Sequence, residues 1–377
     1  MTIEIRQVRT KKERRQFITF AWQVYRSDPE LKKHWVPPVI SDYMKTLDMD
    51  VYPLYDHADL AMFTAWKDGK LSGTIAAVEN RRHNEIHEDR VGFWGFFECY
   101  NDQEVADALF DAAAGWLRKK GLDTMRGPVS PSMNDQCGML TNGFDSSPVF
   151  LMLYNPPYYN DLVLKAGHRI GQELLAWYID QKLIDIERLR RISQHVMKRE
   201  GLSVRVLDMK HFDREIENMR EIYNGAWEKN WGFVPMTDRE FDCLARSLKP
   251  IANPHYVYFV EDRDGRTIGF SLSLPDINQA LKHVNGNPLT PWGLIKYLWY
   301  KRNITMVRTI VMGVLPEYRN KGIDSILNTW IADYGGRHGV FASEMSWVLK
   351  SNEAMSKLAK VIGGRPYKEY VIYEKSI

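Results

Sequence analysis

Short stretches with apolar residues at every second position alternate along this chain with longer stretches at three-to-four spacing. The first half reads as strand 3–9, helix 10–26, strands 59–67, 70–79 and 91–99, helix 103–120 and strand 123–129. A long polar loop, a helix over 156–167 and a strand over 172–180 complete it. The second half reads as strand 202–208, helix 211–229, strands 255–262, 266–274 and 307–315, helix 322–334, strand 341–348, helix 351–361 and strand 368–375. Hairpins early and strand–helix–strand late in each half predict an α/β fold, with helices around a mixed, partly parallel sheet.

The two halves echo each other. Asp68-Gly69-Lys70-Leu71-Ser72-Gly73 recurs as Asp264-Gly265-Arg266-Thr267-Ile268-Gly269, an offset of 196. Gly167-His168-Arg169 with Glu173 recurs at the same offset as Gly363-Gly364-Arg365 with Glu369. Matches in order and in register predict a duplicated unit: domains over 1–180 and 201–377, joined by residues 181–200 with the Arg- and Ile-rich helix Leu183–Arg199. The first copy spends extra residues on the loop Ser130–Tyr154. The second spends them between Pro275 and Arg308, where Pro291–Lys301 reads as a helix.

Composition narrows the class. With 44% hydrophobic and 26% charged residues over 377 positions, the chain has the make-up of a globular protein of about two domains. A net charge of +3 gives no compositional case for nucleic acid. No apolar run approaches the roughly 20 residues of a membrane span, and the start lacks the apolar core of a signal peptide. Three scattered cysteines, Cys99, Cys137 and Cys243, favour neither a disulfide framework nor a metal site. The expectation is a cytoplasmic protein without a metal.

The densest chemical signal lies between Val307 and Leu327. An apolar strand leads through Pro316-Glu317-Tyr318-Arg319-Asn320-Lys321-Gly322 into a helix with Ile323, Ile326, Leu327, Trp330 and Ile331 at helical spacing. Such a turn aims backbone N–H groups and a helix N-terminus at one spot, as a phosphate requires. Residues 202–377 thereby resemble the GNAT (Gcn5-related N-acetyltransferase) superfamily. Arg319 and Gly322 match the first two fixed positions of its R/Q-x-x-G-x-G/A motif, and Asp324 stands at the third. Asn352, opening a helix that ends near Gly363-Gly364, is similar to the superfamily's second cofactor element. In the first half the corresponding loop, Glu98-Cys99-Tyr100-Asn101-Asp102, has neither Gly nor a basic residue. The whole chain thus resembles tandem GNAT-like proteins with a degenerate N-terminal copy.

The resemblance implies acyl transfer from acetyl-CoA or another acyl-CoA to the amine of a small molecule or peptide, with 201–377 binding the cofactor and 1–180 shaping the acceptor side. Arg319, Asn320, Lys321, Gly322, Ile323 and Asp324 would hold the pyrophosphate, and Met312, Gly313 and Val314 the pantetheine and thioester; Asn352 completes the cofactor set. Glu344 lies where the fold often places the base, against the alternative of an exposed strand residue. The helix after Asn352 lacks the Tyr that protonates the leaving thiolate in many members. Tyr370 and Tyr373 are the substitutes, with packing as the alternative for both. Two rival readings stand beside this one: a Fem-like aminoacyltransferase fed by aminoacyl-tRNA, and a non-catalytic CoA-binding or scaffold protein.

Other features carry less. Asn134, Asp135, Asn155, Tyr158 and Tyr159, in and after the long loop, are the candidate acceptor-binding residues, with Asx turns and Tyr packing the plainer account. Trp292, Ile295 and Trp299 with Lys296, Lys301 and Arg302 read as an amphipathic helix packed on its domain, membrane-surface or coenzyme contact being the alternative. His83-Asn84-Glu85-Ile86-His87 reads as a polar loop or strand end.

Overall fold

The computed structural model describes residues 2–227 and 230–377. The last two positions of the expected helix 211–229, Glu228 and Lys229, lie outside the described residues. The chain divides into two compact units. One comprises Met1–Leu174, Asn278–Arg302 and Lys368–Ile377, and the other Leu175–Ile277 and Asn303–Tyr367. Boundaries read along the sequence are continuous, whereas these units are not. The chain's last strand, Gly364–Ser376, contributes Lys368 onward to the first unit, and the insertion 278–302 also belongs there.

Each unit is a mixed α/β sheet flanked by helices. In the first, Ile3–Gln7, Ala58–Lys67, Lys70–Asn80 and Val91–Cys99 pair antiparallel in that order, and Thr124–Gly127 then runs parallel to Val91–Phe93. In the second, Ser203–Val206, Val257–Glu261, Thr267–Pro275 and Met306–Val314 pair antiparallel, and Ala342–Leu349 runs parallel to the last of them. The repeated Gly residues also match in conformation. Gly69 and Gly265 have φ of 78° and 77°, and Gly167 and Gly363 have 87° and 82°, left-handed values that glycine adopts without steric cost.

Local signals explain the helices. Thr10 and Glu13 form a capping box ahead of Lys11–Thr19, and the expected helix 10–26 breaks there, resuming as Ala21–Arg26. Thr237 and Glu240 form another, opening Asp238–Leu248, an element the periodicity did not reveal. Residues Arg81–His87 form a short helix rather than a loop, because the Asn80 side chain accepts from the His83 N–H at 3.1 Å. Helix Pro291–Lys301 forms as expected, yet most of its large apolar side chains face solvent.

The core of the first unit depends on close backbone approach. A Cβ on Gly95 would lie 2.0 Å from the Val129 carbonyl oxygen, and one on Gly127 2.2 Å from that of Trp94. These contacts seat the segment after Gly127 across strand Val91–Cys99, where Ser130 Oγ accepts from the Phe96 N–H at 3.0 Å. Gly95→Ala is therefore expected to destabilise the protein by about 1–3 kcal/mol, read as a lowered midpoint in urea denaturation.

Candidate functional site

The second unit opens where its parallel ladder stops. Met306–Thr309 pair with Ala342–Met345, and beyond that point Ile310–Val314 keep only the antiparallel partner Thr267–Pro275. The register slips at the same place: Leu272 faces Val311 and Ser273 faces Thr309, so Ile310 is a bulge. The Ser273 and Thr309 hydroxyls, 2.8 Å apart, tie this strand to its antiparallel partner, and the buried Arg308 crosses the fork, donating to Ser346 Oγ at 2.9 Å. Met312, Gly313 and Val314 lie above it on the open strand.

Directly after this strand the chain builds an anion-seeking turn. Leu315 N–H donates to Ile268 O at 2.9 Å, and the Tyr318 hydroxyl donates to Asp262 at 2.8 Å, fixing both ends of a short 3-10 turn. Asn320 and Gly322 then take left-handed φ values of 61° and 83°. Gly322 begins helix Ile323–Arg337 without any side-chain cap, leaving the first N–H groups of that helix open. Arg319 and Asn320 are exposed, and Lys321 lies over the Tyr318 ring at 4.6 Å. Asp324 sits in the first turn, where a carboxylate suits the helix dipole.

The first unit has the same two devices, both filled by its own side chains. Its parallel pairing stops at Phe93, but the segment at Val129–Ser130 lies across the opening and Ser130 takes the N–H of Phe96, itself at φ 47°. Its following helix, Gln103–Lys119, is capped by Asp102, which accepts from the Val105 N–H and pairs with Lys67 at 2.6 Å. A carboxylate already occupies the position an anion would take, so this copy is degenerate in structure as well as in sequence.

Glu344 is fully buried, not an exposed strand residue. It accepts from the Ser346 hydroxyl at Oε1 and from the Tyr367 hydroxyl at Oε2. Glu344 and Ser346 bracket Met345, the last residue of the parallel ladder, and Tyr367 is partly exposed. Tyr373 is buried in the first unit, where its hydroxyl donates to Asn160 at 2.8 Å. Tyr370 is buried there too. Asn352 caps helix Glu353–Val361, accepting from the Met355 N–H at 3.1 Å. A cleft in the same unit is lined by Val307, Thr309, Asn328, Ile331, Ser343 and Ile362. Sequence reading missed Arg308, Ile310, Ser346 and Tyr367, since only folded strands reveal a bulge or a cross-strand partner.

The five acceptor-side residues gather in the first unit. Tyr52 donates to Asp135 at 2.5 Å, as does Ser132, whose Oγ also accepts from the Asn134 N–H. Asn155 is a buried strut, exchanging hydrogen bonds with both backbone groups of Leu140. Tyr158 donates to Cys99 O at 2.9 Å, and Tyr159 to Glu98 Oε2 at 2.7 Å. Glu98 is the residue the sequence had hidden. It is partly buried in this unit, and burial pushes its carboxyl up to about 8 against the opposing hydrogen bonds from Tyr159 and Tyr25.

The fold has solved counterparts. A tandem GNAT protein from the clavulanic acid biosynthesis pathway superposes with a TM-score of 0.59 at 12% identity, covering 100% of this chain and 98% of that one. The fold is that of a tandem GNAT protein. No family model matches the chain. Protein YghO of Escherichia coli strain K12 is 32% identical over 99% of this chain and 95% of its own length. The bacterial ceramide synthase of Caulobacter vibrioides is 33% identical over 98% and 96%. This chain belongs to the family of those two proteins.

Glu98 makes stability depend on pH. Its folded value of about 8 lies above its ordinary 4.5, so the folded state holds the proton longer. Stability from this group is full below about 4.5 and declines as pH rises toward about 8. Urea midpoints measured across that interval should fall with pH for the wild type and less steeply for Glu98→Gln.

Proposed function

We propose that this chain is an N-acyltransferase that moves an acyl group from acetyl-CoA or a longer acyl-CoA to the amine of a long-chain amino alcohol. The observation that carries the reading is the fork at Thr309 and Met345, opening beside a helix start that no side chain caps. The acceptor class comes from the relative named a ceramide synthase, since a ceramide is the fatty amide of such an amino alcohol. The proposal puts the reaction in the cytoplasm, in keeping with three free cysteines.

The residues divide by chemistry. The turn Arg319–Asp324 offers backbone N–H groups and two cations to a pyrophosphate. The open edge of Ile310–Val314 offers strand N–H and C=O groups to an extended amide-bearing chain such as pantetheine. Acyl-CoA, when bound, supplies an activated carbonyl and a thiolate leaving group. An amine attacking that carbonyl must shed a proton. Tyr367, partly exposed and donating to the buried Glu344, forms a relay able to take it. The non-catalytic alternative rests on Asp324, whose charge opposes a pyrophosphate.

Calorimetric titration with acetyl-CoA and with a long-chain acyl-CoA tests the donor, and absence of binding would sink the reading. Arg319→Ala should weaken binding by about tenfold, and Gly322→Asp more, by adding both charge and left-handed strain. In an assay of free thiol release with a long-chain amino alcohol, Glu344→Gln and Tyr367→Phe should each lower kcat by about a hundredfold while CoA affinity is unchanged. Binding with no turnover across an amine panel would favour the non-catalytic alternative.

A further inference from the structure

Helix Pro291–Lys301 belongs to the first unit and shows two unlike faces. Its inward side is made by Gly293, Tyr297 and Tyr300. Gly293 is buried so tightly that a Cβ there would lie 2.0 Å from the Asn287 carbonyl oxygen, and the Tyr300 ring stacks on His283 with centroids 3.7 Å apart. Thr290 caps the helix through the Gly293 N–H, so the segment is firmly seated.

The outward side is apolar and uncovered. Trp292 is 77% exposed, Trp299 65%, Ile295 59%, Leu298 51% and Leu294 45%, with Leu289 just ahead at 77%. At about 100° per residue the five helical positions span an arc of about 160°, with Lys296 at one edge and Lys301 at the other. Between Asp276 and Glu317 the chain has no acidic residue, while Lys282, Lys296, Lys301, Arg302 and Arg308 are basic. Of these, Lys296, Lys301 and Arg302 are exposed beside the apolar arc.

We propose that helix Pro291–Lys301 is an interfacial anchor that lies flat on an anionic membrane surface. Two indoles on the apolar arc suit the headgroup boundary, and flanking Lys and Arg reach lipid phosphates while their stems stay among the chains. Eleven residues are too few to span a bilayer, and among the described residues no helix is long and apolar enough to do so. A second copy of this chain is disfavoured as the occupant, because it would bring the same unbalanced positive charge against itself. An anionic surface instead gains about 1 kcal/mol for each cation brought near it. This face alone carries the anchor, and the lipid-like acceptor proposed above is consistent with it without being required.

The test is vesicle sedimentation with the full chain. Vesicles of phosphatidylglycerol and phosphatidylethanolamine should pellet the protein with a blue shift in Trp emission, and phosphatidylcholine vesicles at least about tenfold less. Trp292→Glu with Trp299→Glu should weaken sedimentation by at least about tenfold, with circular dichroism unchanged and turnover of a short-chain, water-soluble substrate pair unchanged. Lys296→Glu with Lys301→Glu keeps the apolar arc and should erase the preference for anionic vesicles. Wild-type protein that stays in the supernatant, or Trp variants that sediment as the wild type does, would overturn the proposal. So would a concentration-dependent dimer dispersed by the Trp variants in a chain that ignores vesicles, which would assign the face to a second copy. Sedimentation and Trp emission need no acyl donor, so they stand or fall separately from the proposed chemistry.

Discussion

One interruption organises the second unit: the parallel pairing of Met306–Val314 with Ala342–Leu349 ends after four residues. A continuous ladder would satisfy every backbone group of the strand and leave nothing for a ligand. Ending it early exposes a row of strand N–H and C=O groups just ahead of the turn at Arg319–Gly322. The bulge at Ile310 increases the local twist, which moves the two strands apart. Below the fork the opposite requirement holds. There Arg308, Thr309, Ser273, Glu344 and Ser346 are buried polar residues, and such groups are stable only when they bond to one another.

Duplication shows what the interruption alone does not decide. Both units carry the hairpin turn, the antiparallel strands and the early end of a parallel ladder. In the first unit Ser130 occupies the Phe96 N–H and Asp102 occupies the helix start. In the second, Gly322 has no side chain with which to do the same. One architecture is therefore closed by its own oxygen atoms in one copy and open in the other. The closed copy instead holds Glu98 under burial, its carboxyl raised and bonded by the Tyr159 hydroxyl.

Much of this was legible in the residues. The Asp-Gly turns, the strand–loop–helix at 307–327 and the two-copy plan all rest on signals confined to a few neighbouring positions. Glu344 was visible as a carboxylate in the right strand, but its burial and its bond to Tyr367 were not. The tyrosine hydroxyl beside it comes from position 367, while Tyr373, six residues on in the same strand, points its hydroxyl at Asn160 in the first unit. Helix Pro291–Lys301 was legible as a helix. Which of its faces would be covered was not, because amphipathic spacing does not say whether the apolar side meets protein or solvent.

The sequence by itself determined the local backbone: where strands turn, where helices start and which turn presents open N–H groups. These depend on φ preferences and on hydrogen bonds between residues a few positions apart. Only the tertiary structure decided where the parallel ladder ends, which distant hydroxyl meets Glu344, and that the last ten residues join the first unit. Those outcomes depend on which remote strand lies alongside, and one residue of register changes every partner and every buried face.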